Sequence, residues 1–342
     1  MINSHIRNVK LLALSLMIIV VSSCNKESLT PEREAVAWMS DLLDKYPKKD
    51  ILFSDICLPG SHDAGMYTLK NCSFGANECN TKTQHLNTQQ QLAAGYRYFD
   101  IRPTILGGKF YTFHFNECGG LGCYGDRLEN ILQSIQEFIK SHKEIILIQL
   151  DHFCKLTPDD ESLYELFNKT FGENLYKETF RVEDFYDWSL RKILGDNGQG
   201  KVILTFKTQE VPNTDDYRRK GYFNANILNK IGGWSDKNEY SDLKKDQLKN
   251  FDVYQSRPPY LFEFSWQMTH DALDAVACAL GNKKSIRSMS EISNPDFQIV
   301  IDSLIQVGVI NTHKIPNFFW VDYGDDWMID VAKKISEIKI KN

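Results

Sequence analysis

The sequence has no block of lysine or arginine, no acidic tail, no internal repeat and no low-complexity segment. Each absence removes a class. Without a basic block there is no nucleic-acid surface to read, and the formal charge is only -5 with 25% charged residues. A membrane-spanning helix needs roughly 20 apolar residues; the apolar stretch Leu11 to Val21 is far shorter and is interrupted by Ser15. No Gly-x-Gly-x-x-Gly follows the first apolar run, which weakens a dinucleotide-binding open sheet. What is present is bulk. The 342 residues are 42% hydrophobic and 12% aromatic, enough for one large core.

The N-terminus adds an address. Arg7 and Lys10 precede the apolar stretch, and Val21-Ser22-Ser23-Cys24 closes it. A basic start, a short apolar core and small residues before a cleavage point describe a signal peptide. Cys24 stands where a bacterial lipobox cysteine is acylated, with ordinary cleavage and an incidental Cys24 as the alternative. The expected division is a leader over 1–24, a tether and N-terminal helix over 25–49 (the helix at Glu34–Leu43), and one catalytic domain over 50–342. The expected location is the cell envelope, periplasmic or at the surface.

Export permits disulfides. Besides Cys24 there are Cys57, Cys72, Cys79, Cys118, Cys123, Cys154 and Cys278. Cys72 with Cys79, and Cys118 with Cys123, are spaced to close locally, and the odd count leaves at least one thiol free. Cys57, in an expected strand, reads as simply buried. Zinc on His114, Cys118 and Cys123 ranks lower, because it lacks an evident fourth ligand and the usual short C-x-x-C spacing.

Short apolar runs at Ile56–Pro59, Tyr96–Arg102, Phe110–Phe115, Ile145–Leu150, Val202–Phe206, Tyr260–Ser265 and Phe318–Asp322 read as strands. Between the third and fourth, Leu128, Ile131, Leu132, Ile135, Phe138 and Ile139 follow helical spacing. A second helix is expected over Thr88–Ala94. Apolar strands alternating with helices predict an α/β fold with a parallel sheet, best satisfied by a distorted TIM-type (β/α) barrel, irregular or incompletely closed.

In such barrels chemistry sits at the C-terminal strand ends. Those positions here are His62-Asp63, Asp100 and Arg102, His114, Asp151-His152, Lys207, Trp266 and Asp322. The local sequences are Leu58-Pro59-Gly60-Ser61-His62-Asp63-Ala64-Gly65, Tyr98-Phe99-Asp100-Ile101-Arg102, Thr112-Phe113-His114-Phe115 and Phe319-Trp320-Val321-Asp322-Tyr323. In this order they resemble the X-domain of the phosphatidylinositol-specific phospholipases C, particularly the bacterial form, over roughly residues 50–335.

The resemblance implies cleavage of an inositol phospholipid, free or as a glycosylated anchor, to diacylglycerol and a cyclic inositol phosphate. His62 would deprotonate the inositol 2-hydroxyl, oriented by Asp322. His114 would protonate the leaving oxygen with Asp63 as its carboxylate partner, and histidine suits both tasks because its pKa lies near neutrality. Arg102 would grip the phosphate, and Asp100 would hold Arg102 or the histidines. Asp151 and Lys207 would meet inositol hydroxyls, and Trp266 would stack on the ring or fill the rim. Eukaryotic relatives hold calcium through an Asn after the first histidine. Here Asp63 replaces it and Arg102 brings a cation, so catalysis without metal or cofactor is expected.

The bland alternatives are a turn-closing His62, a core His114, a structural Asp100–Arg102 pair, solvated rim charges at Asp151 and Lys207, and an unengaged Asp322. His85, His152 and His270 carry no functional case. Rival functions are a glycerophosphodiester- or sphingomyelin-type phosphodiesterase, or a non-catalytic surface lipoprotein that binds glycans or lipids. The expected partners are an inositol phospholipid and, through the anchor, the cell's own membrane; nucleic acid is not among them, and a monomer is expected.

Overall fold

A computed structural model describes residues 36–115, 118, 122–178, 185–254, 260–281 and 284–341. The expected leader, Cys24 and the tether through residue 35 lie outside the described residues. In chain order the strands are β1 Leu58–Ser61, β2 Tyr98–Ile101, β3 Pro103–Leu106, β4 Lys109–Phe115, β5 Gly122–Arg127, β6 Ile145–Leu150, β7 Lys201–Phe206, β8 Tyr222–Asn224, β9 Lys230–Gly233, β10 Leu261–Ser265 and β11 Phe318–Val321.

Eight strands form one sheet in the order β8-β7-β6-β2-β1-β11-β10-β9, with every pairing parallel. The sheet curls around an interior. Lys230 on edge strand β9 reaches Tyr98 on β2 and Gln149 on β6 across the interior. Among the described residues β8 and β9 do not pair, so the fold is an incompletely closed TIM-type barrel.

Side chains alternate between the two faces of a strand, and the two core clusters follow that parity. Leu58, Tyr98, Leu147, Ile203, Phe223, Leu261, Phe318 and Trp320 fill the interior together with Trp38, Met39 and Leu42. These last three come from the helix Trp38–Lys45, which closes the end where the strands begin. Phe99, Ile101, Ile148, Leu204, Phe206, Phe264, Trp266, Phe319 and Val321 face outward into the helical layer. There the helix Leu128–Ser141 buries all six apolar positions that its sequence spacing marked. Each such side chain contributes about 1.5–3 kcal/mol when fully buried.

Two expectations are corrected. The run at Phe110–Phe115 is not a barrel strand: β3, β4 and β5 make a separate antiparallel sheet. Gly107 and Gly108, with φ of 56° and 71°, turn β3 into β4. A Gly-Gly pair between two apolar runs is a two-residue hairpin signal, so β4 leaves the barrel and returns along its mouth.

The local disulfides are also not formed. The bonds are Cys72–Cys123 and Cys79–Cys278. Lys70 pairs with Tyr124 on β5, and Ser73 N–H donates to Gly122 O, which lays Cys72 beside Cys123. The helix Glu78–Thr81 lies against the helix Ala272–Ala279, where Asn80 Nδ2 donates to Ala275 O at 3.2 Å. Contacts distant in sequence, rather than cysteine spacing, chose the partners. Cys57 and Cys154 are buried thiols and Cys118 is an exposed one.

Candidate active site

The parallel register of β1 between β2 and β11 delivers three chain segments to one rim. His62 follows β1, Arg102 follows β2 and Asp322 follows β11. Positions 58, 60 and 62 share the inward face, as do 98, 100 and 102, and 318, 320 and 322, so all three side chains enter the mouth.

Asp322 Oδ1 lies 2.8 Å from His62 Nδ1, which fixes that nitrogen as the protonated one in the neutral ring. Nε2 then faces the cavity as an acceptor and receives Arg102 Nη2 at 2.9 Å. Arg102 Nε is 2.6 Å from Asp63 Oδ1 and 3.8 Å from Asp100 Oδ2. Asp63 holds a left-handed φ of 45°, a costly conformation for a non-glycine residue that clusters at functional sites. Asp100 Oδ2 accepts from the Asp63 backbone N–H at 3.3 Å.

His114 enters from the hairpin rather than from a barrel strand. Its Nδ1 donates to Thr81 O at 3.0 Å, leaving Nε2 toward the cavity. The two imidazole rings stand 6.5 Å apart and nearly perpendicular. Asp63 Oδ2 lies between them, 3.5 Å from His62 Nε2 and 3.8 Å from His114 Nε2. Asp63 therefore faces His114, the partner expected for it, and also His62 and Arg102, the last at the shortest distance, because its side chain projects from the turn at the centre of the cluster.

The electrostatics separate the histidines. Burial works against a charged His62, but Asp63 and Asp322 overcome it and push its pKa up to about 9. Burial prevails at His114 over the attraction of Asp63 and lowers its pKa. At Asp63 burial is outweighed by Arg102 and His62, and the carboxyl is held below its usual range. Asp100 is pushed up, by burial first and by neighbouring Asp63. The Arg102 donor at Nε2 describes a neutral His62, so a proton arriving there must displace the guanidinium.

Such a cluster can take a proton on one side of a phosphorus atom, give one on the other, and offset charge between them. No family model matches the chain. A Dictyostelium discoideum PI-PLC X domain-containing protein is 25% identical over 262 residues, covering 62% of this chain and 42% of the relative. A Staphylococcus aureus 1-phosphatidylinositol phosphodiesterase is 26% identical over 204 residues, covering 57% of this chain and 56% of the relative. The chain thus spans roughly half the length of these curated relatives. The solved phosphatidylinositol-specific phospholipase C of S. aureus superposes with a TM-score of 0.60 at 17% identity, over 87% of this chain and 96% of that one. That of Listeria monocytogenes gives 0.57 at 17% identity, over 84% and 95%. In sequence and in fold, this chain resembles the phosphatidylinositol-specific phospholipases C.

The remaining expected residues divide. Asp151 pairs with Lys207 at 2.7 Å on the same rim, with Lys207 largely exposed and His152 Nε2 3.6 Å from the same carboxylate. Trp266 is not at the site. It is fully buried, donates through Nε1 to Ser293 O at 2.9 Å and packs on Phe297. Its parity with Phe262 and Phe264 turns it outward.

The inward neighbours that sequence reasoning missed form the floor below the histidines. Lys230 Nζ donates to Tyr98 OH and Glu263 Oε2, both at 2.6 Å, and to Gln149 Oε1 at 3.1 Å. It also lies over the Trp320 ring, which stacks near His62. Period-two counting along β2, β6 and β10 would have marked Tyr98, Gln149 and Glu263. Lys230 sits in a four-residue Lys-Ile-Gly-Gly strand with no apolar alternation to announce it.

Proposed function

We propose that this chain cleaves the phosphoric diester of an inositol phospholipid by acid–base catalysis between His62 and His114. The inositol 2-hydroxyl oxygen attacks phosphorus as His62 Nε2 takes its proton. The bond from phosphorus to the glycerol oxygen breaks as His114 Nε2 protonates that oxygen. Diacylglycerol leaves, and the phosphate remains as a cyclic inositol ester. Arg102 swings from His62 Nε2 to the phosphoryl oxygens, which frees the base at the moment it is needed. The carrying observation is the 6.5 Å separation of two cavity-facing imidazoles, one of them in contact with a guanidinium.

The reading extends to metal independence. His62, Asp63 and Asp100 offer ligand atoms within 4.8 Å of one another, but the Arg102 guanidinium packs against both carboxylates. A divalent ion there would have to displace a cation already set between carboxylates. A bilayer substrate is supported by the exposed Phe74, Leu273, Val276 and Leu280, on segments joined by Cys79–Cys278 beside the Thr81 carbonyl that holds His114. Export as a lipoprotein anchored through Cys24 belongs to the same proposal; loss of membrane association in Cys24→Ser tests it.

The deciding assay offers phosphatidylinositol, glycerophosphoinositol and sphingomyelin with and without EDTA, and identifies products by phosphorus NMR. Cyclic inositol phosphate from phosphatidylinositol, undiminished by EDTA, is expected. His62→Ala and His114→Ala should each lower kcat by about 10²–10⁴-fold. Near-native turnover in either variant removes that residue from the mechanism, and a calcium-restorable loss in EDTA removes the metal-free reading.

A further inference from the structure

Two of the free cysteines are neighbours. Cys154 follows β6, three residues beyond Asp151, and is 3% exposed. Its N–H donates to Pro103 O at 3.2 Å, and it bridges Thr104 at the start of β3. Cys118 is exposed and lies three residues beyond the end of β4, the strand that carries His114. Its Sγ is 3.2 Å from Phe153 O, the carbonyl joined directly to Cys154. Burial, then a hydrogen bond with the Cys118 thiol, pushes the Cys154 thiol up to about 12. The third free thiol among the described residues, Cys57, is buried just before β1.

The surroundings give this pair a context. His114 stands opposite Cys123 in the hairpin, and Cys123 is bonded to Cys72. Thr81, whose carbonyl holds His114 Nδ1, lies two residues beyond Cys79, which is bonded to Cys278. Two sides of the His114 mount are thus covalently tied. The remaining side, where the chain leaves β4, ends at Cys118. A chain that keeps two disulfides matures where a disulfide oxidant is at hand.

We propose that Cys118 and Cys154 are a redox pair whose oxidation forms a third disulfide, tying the loop after the His114 strand to the loop after β6. The oxidant is a small-molecule disulfide of the glutathione class. The exposed Cys118 thiolate attacks it, forming a mixed disulfide and expelling one glutathione thiolate. Cys154, as its thiolate, then attacks the Cys118 sulfur and expels the second. Two protein thiols lose two protons and two electrons, and one oxidant disulfide becomes two thiols. The step needs no catalysis by the histidines, so it stands or falls apart from the proposed function.

The test equilibrates the whole protein in glutathione buffers of increasing oxidised fraction, quenches with acid, alkylates the free thiols and maps the peptides by mass spectrometry. A Cys118–Cys154 linked peptide is expected, appearing at more oxidising ratios than Cys72–Cys123 and Cys79–Cys278. In Cys154→Ser, Cys118 should accumulate bound glutathione; in Cys118→Ser, Cys154 should remain a free thiol. The proposal is overturned if both cysteines stay alkylatable while the other two bonds are complete. Wild-type Cys118 that stops at the glutathione adduct overturns it equally.

Discussion

Two arginines flank β2, five residues apart, Arg97 fully and Arg102 partly buried and both set against carboxylates, yet they are satisfied in opposite ways. Arg97, at the start of the strand, uses every branch of its guanidinium. Nε donates to Glu144 Oε2 at 2.7 Å, Nη1 donates to Leu92 O and Tyr96 O, and Nη2 donates to Val36 O. Glu144 Oε1 in turn accepts the Met39 and Ser40 N–H groups at 2.8 and 3.0 Å. Arg102, past the other end, touches Asp63 without hydrogen-bond alignment. Its Nε, both Asp63 oxygens and Asp100 Oδ1 find no hydrogen-bond partner among the described residues. Unmet polar capacity inside a protein is costly, and native folds keep it where a ligand will use it. The contrast separates an ion pair that fastens the N-terminal helix to the barrel from one at the barrel mouth whose hydrogen-bonding capacity is left unused.

The largest effect expected is on the satisfied pair. Arg97→Met leaves Glu144 charged and buried without its partner, which should cost about 3–5 kcal/mol of stability in urea unfolding. The activity of the folded fraction should not change. Adding Glu144→Leu should recover much of the loss, and a single-variant shift below about 1 kcal/mol would erase the contrast. Arg102→Met should do the reverse. Turnover should fall about 10²–10³-fold, as for loss of one preorganised donor to a developing oxyanion. Its unfolding midpoint should fall less than that of Arg97→Met, since Asp63 keeps His62 and His114 within 3.5 and 3.8 Å as partners. Destabilisation matching that of Arg97→Met would make Arg102 structural.

Much of this was legible in the sequence, for reasons that can be stated. The helix Leu128–Ser141 and strand β6 stand where their patterns put them, because each buries an uninterrupted apolar face that tertiary contacts do not override. His62, Arg102 and Asp322 were findable because a parallel sheet places successive strand ends on one rim. Asp322, the least secure from sequence, makes the shortest contact to His62. Trp266 was misplaced because strand-end position was used without parity. Strands β8 and β9 carry three and four residues, too few for a period to show. The disulfides depend on loops packing together across a sequence separation of 51 and 199, which cysteine spacing does not encode.

The smallest expected effect lies in the pH profile, where Asp322 is compared with Asp63. Below about 9 His62 holds its proton, while His114 loses its own below the ordinary histidine value. On the proposed mechanism the free protein meets substrate in reverse protonation: neutral His62 with protonated His114 is the minor form throughout the plateau. Below the His114 pKa that form grows as His62 deprotonates with rising pH, so the acidic limb of kcat/KM belongs to His114. Above the His62 pKa the base is already neutral and His114 continues to empty, so the alkaline limb belongs to His62. Asp322→Asn removes an anion that supports the imidazolium and should bring the alkaline limb down by roughly one unit while leaving the acidic limb in place. Asp63→Asn should move both limbs downward, since Asp63 faces both rings. Movement of the acidic limb alone in Asp322→Asn would give the lower of the two pKa values to His62 and overturn this order of the pair.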